Sequence, residues 1–421
     1  MGGRGDRHRP LRRAGWAGEA PSHTSLAQEI DTYLAAAEPG KADDTFRVFW
    51  KGGLSGETAD KTFAFKLGGR FMLDSYWKSS DDFGDDEEIV GDGVGFRRLR
   101  LESAGTIYRN VEFLVQVELA KSEVEIKDVF LEIQDVPFVG MIRVGHFKEP
   151  IGLEELTSSK SINFMERSVP TNCFAPSHNV GLAVGDSAFE KHMTWILGIF
   201  RDTDANGTQV EDGGYQLTLR VTGLLLENKD KGTLLHLGFS FSARDPEDNE
   251  YRVRARPNTG FGDRLVDTGT LTVDGVNILG FEAAFVWNSL RVQGEFFLAD
   301  LSDAFDDGSP LGDATLSGFY VMAAFWLTGE THSYKSGVFG SPSPKKNFLR
   351  GSGWGAWEIA VRFDSVDLND GLVAGGEMTT ITGGLNWHLN PNTRILFNVV
   401  FADIDAVGEL TIFQTRFQLA W

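Results

Sequence analysis

Arginine is the side chain whose type and spacing invite a chemical reading of this 421-residue chain. Arg252, Arg254 and Arg256 alternate over five residues, and Arg70, Arg98, Arg100 and Arg143 fall in segments of alternating polarity. A guanidinium is planar, permanently charged and able to give two hydrogen bonds to one oxyanion. Three on one parity of an extended stretch would stand in a row with steps of about 6.6 Å. Rows or rings of such charge along a narrow water path are what an anion pore requires. These seven arginines are the candidate pore-lining, anion-binding residues. A plainer role competes for the four outside the 252–256 row, namely pairing with Glu102, Glu112, Asp128 or Glu132 to brace neighbouring segments.

Other chemistries find little support. His146, His178, His192, His236, His332 and His388 are scattered singly, and no nucleophile motif or clustered metal ligands accompany them. The lone Cys173 excludes an intrachain disulfide framework and a cysteine-based zinc site. No catalytic residue, metal or cofactor is expected. A formal charge of −20, with no basic tract on the scale of a nucleic-acid footprint, argues against DNA or RNA as a partner.

The elements that must position the arginines are strands. From about Thr62 onward apolar and polar residues alternate with period two: Val111, Phe113, Val115, Val117 and Leu119 against Glu112, Gln116 and Glu118, for example. The alternation predicts sixteen strands, at 62–77, 94–108, 110–121, 124–134, 137–147, 179–188, 191–201, 213–223, 232–243, 276–288, 289–300, 316–328, 354–366, 377–390, 391–403 and 409–421. Phe46–Trp50 reads as a short strand before the set. Tight turns are expected at Arg109-Asn110, Asp135-Val136, Asn288-Ser289 and Asn390-Pro391-Asn392. Longer, often acidic connections are expected at 78–93, 148–178, 202–212, 244–275, 301–315, 367–376 and 404–408. Residues 329–353 are long although they fall on the short-turn side.

Alternation alone also suits a soluble β-sandwich or propeller. Three features favour a transmembrane barrel. One face carries Lys66, Arg70, Arg98, Arg100, Glu102, Arg143, Arg220, Glu282, Glu295, Arg362, Arg394 and Arg416, too many ions for a dry core and natural for a water-filled lumen. The other face is almost uncharged and suits lipid. Finally, Phe417, Leu419 and Trp421 alternate to a terminal aromatic. Abundant Gly (49) and Phe (32) with only 13 Pro fit many strands joined by turns. The longest apolar run, Phe319–Leu327, is too short for a membrane helix. The short-and-long connection pattern is that of outer-membrane barrels.

Several blocks resemble the phosphate-selective porin O/P family of Gram-negative outer membranes. They are Lys66-Leu67-Gly68-Gly69-Arg70, Phe96 to Glu102, Val144 to Leu156, Phe164 to Ser168, Arg252 to Pro257, Leu327 to Glu330 and Asn386 to Asn392. The resemblance spans roughly residues 46–421. It implies an all-β fold: a 16-stranded antiparallel transmembrane β-barrel, trimeric, with 148–178, 244–275 and 329–353 folded inward. It further implies that Arg252, Arg254 and Arg256 belong to the family's arginine ladder. The function so implied is passive diffusion of small anions, phosphate or polyphosphate, with inorganic phosphate and outer-membrane lipid as partners. A weakly selective general porin and a non-conducting scaffold remain alternatives.

Residues 1–45 read as an N-terminal extension, 46–61 as a pre-barrel segment and 62–421 as the barrel. No apolar stretch of signal-peptide length occurs in 1–45. Because an outer-membrane barrel needs export, a misplaced start or an incomplete gene model is expected there, with the remainder a mobile periplasmic extension. The −20 charge in sum opposes anion passage, but Asp81, Asp82, Asp85, Asp86, Glu87, Glu88 and Asp92 crowd one connection, and charges beyond a Debye length of about 8 Å are largely screened.

Overall fold

Period-two segments with one apolar face can satisfy every backbone group in a membrane only by closing on themselves, and this chain does so. The computed structural model describes residues 45–80, 82, 91–210, 213–349 and 353–421. The expectations for 1–44, and for Asp81 and Asp85–Glu88, lie outside the described residues.

Sixteen strands form the wall: β1 (Phe63–Ser79), β2 (Gly91–Ile107), β3 (Val111–Glu118), β4 (Glu125–Val136), β5 (Gly140–Lys148), β6 (His178–Ala188), β7 (Met193–Arg201) and β8 (Tyr215–Asn228), then β9 (Thr233–Asp245), β10 (Gly275–Trp287), β11 (Leu290–Asp306), β12 (Ser309–Trp326), β13 (Ala356–Asp370), β14 (Val373–Asn390), β15 (Thr393–Ile404) and β16 (Gly408–Ala420). Each pairs antiparallel with the next, and β16 closes on β1 from Ala420↔Arg70 to Thr411↔Ser79. The seam explains the double glycine. Trp421 exchanges backbone hydrogen bonds with Gly69, and a Cβ on Gly69 would lie 2.6 Å from the Trp421 ring. Below the seam a hairpin, Phe46–Trp50 with Leu54–Thr58, pairs with Ala64–Leu67 of β1.

The outer face is an apolar band. Phe239, Phe281, Phe296 and Phe319 are direct register partners across β9–β12, and all are exposed. On the opposite face the charged residues are mostly covered. Arg362 and Arg416 are fully buried, and Arg220, Glu282, Glu295 and Arg394 nearly so. A water-filled lumen along the whole charged face is therefore not what the chain builds. Ion pairs and loop contacts replace water there, such as Arg220–Glu282 at 2.6 Å.

Two predicted connections are strand instead. Segments 301–315 and 367–376 extend the ladders to two-residue turns at Asp307-Gly308 and Gly371-Leu372. Their polarity is inverted relative to the apolar band. Asp303, Asp306, Asp313, Asp367 and Asp370 face water outside, while Leu301, Ala304, Ala314, Leu316, Val366 and Leu368 are buried inside. The inner apolar residues share one buried apolar cluster with Val253, Ala255, Val266, Leu271 and Val273 of connection 246–274. The turn expected at Asp135-Val136 lies slightly later, since Val136 still pairs with Gly140.

Candidate functional site

The arginines are positioned by the wall and by the connection between β5 and β6. That connection holds two short helices, α1 (Leu153–Leu156) and α2 (Val169–Phe174). Gly152, at a φ of 76°, precedes α1, and a Cβ there would meet Glu295 at 2.9 Å. Its absence lets the Glu295 carboxylate accept from the Leu153 and Glu154 backbone N–H groups, both at 2.7 Å. Further anchors reach the connection from other strands. Arg394 donates to the Ile162 carbonyl (2.8 Å), Asn386 to that of Asn163 (2.7 Å), Arg362 to that of Glu166 (3.1 Å), and Arg416 to that of Met165. A segment that leaves from β5 and returns at β6 is thus tied to the inner faces of β11 and β13–β16.

Between this segment and β1–β6 lies a cavity of about 430 Å³. Arg70, Arg98, Arg100 and Arg143 all line it, so the structure brings together the four strand arginines singled out from sequence. Arg97, Lys121, Lys127, Lys148 and Arg167 line it as well. Nine cationic side chains face three carboxylates, Glu118, Asp128 and Glu155.

Arg97 was missed because strict alternation sends it outward. Between Arg98↔Met72 and Phe96↔Leu73 the register slips by one residue, and a bulge re-aims a side chain in this way. Arg97 and Arg98 consequently both turn inward, while Val94 and Phe96 on one side of the slip and Leu101 on the other stay exposed to the outside. The adjacent Arg97-Arg98 pair was the only signal available in sequence. Lys148 stood within a quoted motif without being weighed.

Most of these cations are already paired. Arg70 donates to Glu102 (3.0 Å), Arg100 to Glu118 (2.7 Å), and Arg143 contacts Glu132 while lying 4.3 Å from the Phe130 ring centre. Glu102 and Glu132 thus perform the bracing expected of them. Glu166 collects three cations: Arg97 through two bonds of 2.9 Å, Arg416 at 2.8 Å and Arg98 at 3.8 Å. Burial raises the Glu166 pKa, but Arg97, Arg98 and Arg416 outweigh it and hold the carboxyl below its usual range. Arg98 is buried, donates weakly to the Met72 sulfur at 3.6 Å, and its Nε is unpartnered.

The loop arginines stand apart from this cavity. In connection 246–274, Arg254-Ala255 pairs with Val266-Asp267. Val253 and Ala255 are buried, while Arg252 and Arg254 are exposed and Arg256 half-buried. Arg252 donates to Asp267 at 2.7 and 2.5 Å, which holds the Asp267 carboxyl below its ordinary value. Arg254 makes no hydrogen bond or ion pair among the described residues. Burial and then Arg97 lower the Arg256 pKa. Arg264, overlooked in the sequence, feels the positive charges of Arg256, Arg254 and Arg252. The loop is pinned beyond this row. Asn258 donates to Asp364, Thr380 and Thr382, and Phe261 stacks on Tyr76 at 5.4 Å. Arg97, packed on Gly260, is where the loop row meets the cavity.

Known proteins point the same way. The family described as phosphate-selective porin O and P matches residues 65–421. Porin O of Pseudomonas aeruginosa is 25% identical over 93% of this chain and 94% of its own length. An uncharacterised protein of Caulobacter vibrioides is 29% identical over 92% of this chain and 78% of its own. Among solved structures, an anion-selective porin from Comamonas acidovorans superposes with a TM-score of 0.53 at 12% identity, covering 85% of this chain and all of that one. The channel DcaP of Acinetobacter baumannii gives 0.54 at 8% identity, over 87% and 99%. These structures carry the fold alone, a closed sixteen-stranded antiparallel barrel. The chain belongs to the phosphate-selective porin O and P family, and is a porin of the Gram-negative outer membrane rather than an enzyme.

Proposed function

We propose that this barrel passes small anions, phosphate foremost, by diffusion from the loop row Arg252, Arg254 and Arg256 into the cavity bearing Arg70, Arg98, Arg100 and Arg143. The observation that carries the reading is the lining of that cavity, nine cations against three carboxylates. Connections 149–177 and 246–274 act as the constricting loops, and residues 334–341 narrow the turn end, where Arg220 bonds to the Gly337 carbonyl and His236 to Tyr334. Conduction needs binding strong enough to attract and weak enough to release. Pre-paired arginines meet that condition, because a solute competes with a carboxylate already in place. Assembly as a homotrimer is part of the proposal and rests on the family resemblance.

Single-channel recording in planar bilayers tests it. The channel should be anion-selective and blocked by phosphate. Replacing Arg252, Arg254 and Arg256 together with Ala should lower anion conductance and weaken phosphate block without unfolding the barrel, since a loop row contributes little to its stability. Unchanged anion-over-cation permeability in the triple variant would remove the row from the conduction path. The apolar packing of connection 246–274 on β10–β16 favours one competing reading, a non-conducting scaffold. Absence of conductance would decide for it.

A further inference from the structure

The cavity is not evenly basic. Arg70, Arg97 and Arg98 gather at β1 and β2, with the Ser158 and Ser159 hydroxyls on Arg70 at 3.3 and 3.0 Å. No carboxylate that lines the cavity belongs to those two strands or to the Ser158-Ser159 turn. Toward β4 and β6 the lining changes. There Asp128 stands 3.5 Å from His178 Nε2, and both line the cavity. His178 is nearly buried, its Nδ1 lies 3.0 Å from the Ser177 hydroxyl, and its Nε2 has no hydrogen-bond partner. The carboxylate and the ring nitrogen thus stand at a separation longer than an ordinary hydrogen bond. A hydroxyl between them could donate to Asp128 and accept from His178.

A bare phosphate uses only the first of these regions. It is repelled by Asp128, and it would leave most of a cavity of this size to water. A volume of about 430 Å³ lies within the range of organic-ligand pockets, about 300–1,000 Å³. β2 and β4 stand two strand spacings apart, about 9.6 Å, a span that a six-carbon phosphate ester can bridge. We propose that the cavity takes phosphorylated polyols, of the sugar-phosphate class, with the phosphoryl head among Arg70, Arg97 and Arg98 and a hydroxyl bridging Asp128 and His178. This rests on the anion-porin reading and adds a solute class to it.

The test compares block of chloride conductance by glucose 6-phosphate, methyl phosphate and glucose. The two esters share a head, and only one has a hydroxylated body. Glucose 6-phosphate should block at a concentration lower than methyl phosphate by about threefold to tenfold, the effect of one net hydrogen bond. Glucose should not block. Asp128→Asn should erase the difference between the esters while leaving methyl phosphate block in place. If that variant yields no channels, His178→Gln removes the other half of the bridge. Equal block by the two esters in the wild type overturns the inference and leaves the porin reading standing. So does an advantage for glucose 6-phosphate that survives the substitution. Block by neither ester overturns the inference together with the phosphate preference in the proposed function.

Discussion

Replacing Glu166 with Gln should unbalance the centre of the cationic system and let an outside anion restore it. Glu166 is buried and is the shared partner of Arg97, Arg98 and Arg416. Arg416 keeps a second carboxylate, Asp74, through two bonds of 2.6 Å. Arg97 and Arg98 have none beyond Glu166 among the described residues. Removing one member of a buried pair costs about 3–5 kcal/mol, because the surviving charge is left uncompensated. The low end applies here, since the Gln carbonyl still accepts one bond and Arg97 is partly open to the cavity. The expected loss is therefore about 3 kcal/mol.

Both orphaned guanidiniums line the cavity, so phosphate can reach them. A ligand that binds only the folded state stabilises it by about 2.7 kcal/mol at one hundred times its dissociation constant. Urea unfolding, followed by the gel shift between folded and unfolded barrel, measures both effects. The variant should unfold at lower urea in chloride and recover most of the difference in phosphate at equal ionic strength. Wild type should gain less, because there phosphate must compete with Glu166 for Arg97 and Arg98. Its anion-over-cation permeability ratio should also be lower than the variant's. A variant indifferent to phosphate, with an unchanged permeability ratio, would refute the idea that Glu166 stands in for the solute.

Two further outcomes follow from the same contacts. Because the folded Glu166 carboxyl titrates below its ordinary value of 4.5, its contribution is complete above that value and is lost as pH falls through the lower folded one; the stability gap between wild type and Glu166→Gln should stay constant from about pH 8 to 6 and narrow below about pH 4.5, and a gap that narrows with rising pH would contradict the sign. Gly69→Val should hinder closure of the β16–β1 seam, since even a Cβ there would sit 2.6 Å from the Trp421 ring; a wild-type yield of heat-resistant barrel after refolding would show that the ring moves aside without penalty.

Strand existence was legible because a wall between lipid and a polar interior forces period two on every spanning residue. All sixteen predicted strands are present. Where the bilayer no longer covers the outer face, that rule lapses. Asp303, Asp306 and Asp313 read as loop, yet a strand wet on its outer side can carry acids there and bury Leu301, Ala304 and Ala314 within. The inward set Arg70, Arg98, Arg100 and Arg143 followed from parity, and Arg97 escaped because a bulge adds one residue without a sequence marker. Burial of Arg362 and Arg416 could not be read from their own strands. It depends on carbonyls and carboxylates supplied by a segment about 200 or more residues away in sequence.

The same division resolves the paradox of an anion channel with a charge of −20. Acidic residues Asp303, Asp306, Asp307, Asp313, Asp367, Asp370, Glu377, Asp403, Asp405 and Glu409 are exposed toward the turns joining β11–β12, β13–β14 and β15–β16. The cationic cavity lies against β1–β6. Between them stands the apolar packing of connection 246–274 on the inner face of β10–β16. Exposed charges are screened within about 8 Å at physiological salt, whereas charges lining a narrow cavity are screened much less. On the path proposed above, a permeating ion meets the nine cations that line the cavity, each with a partner it can partly exchange. The acids stand exposed at those turns, outside the cavity lining, so on the proposed path the charge nearest the ion is positive.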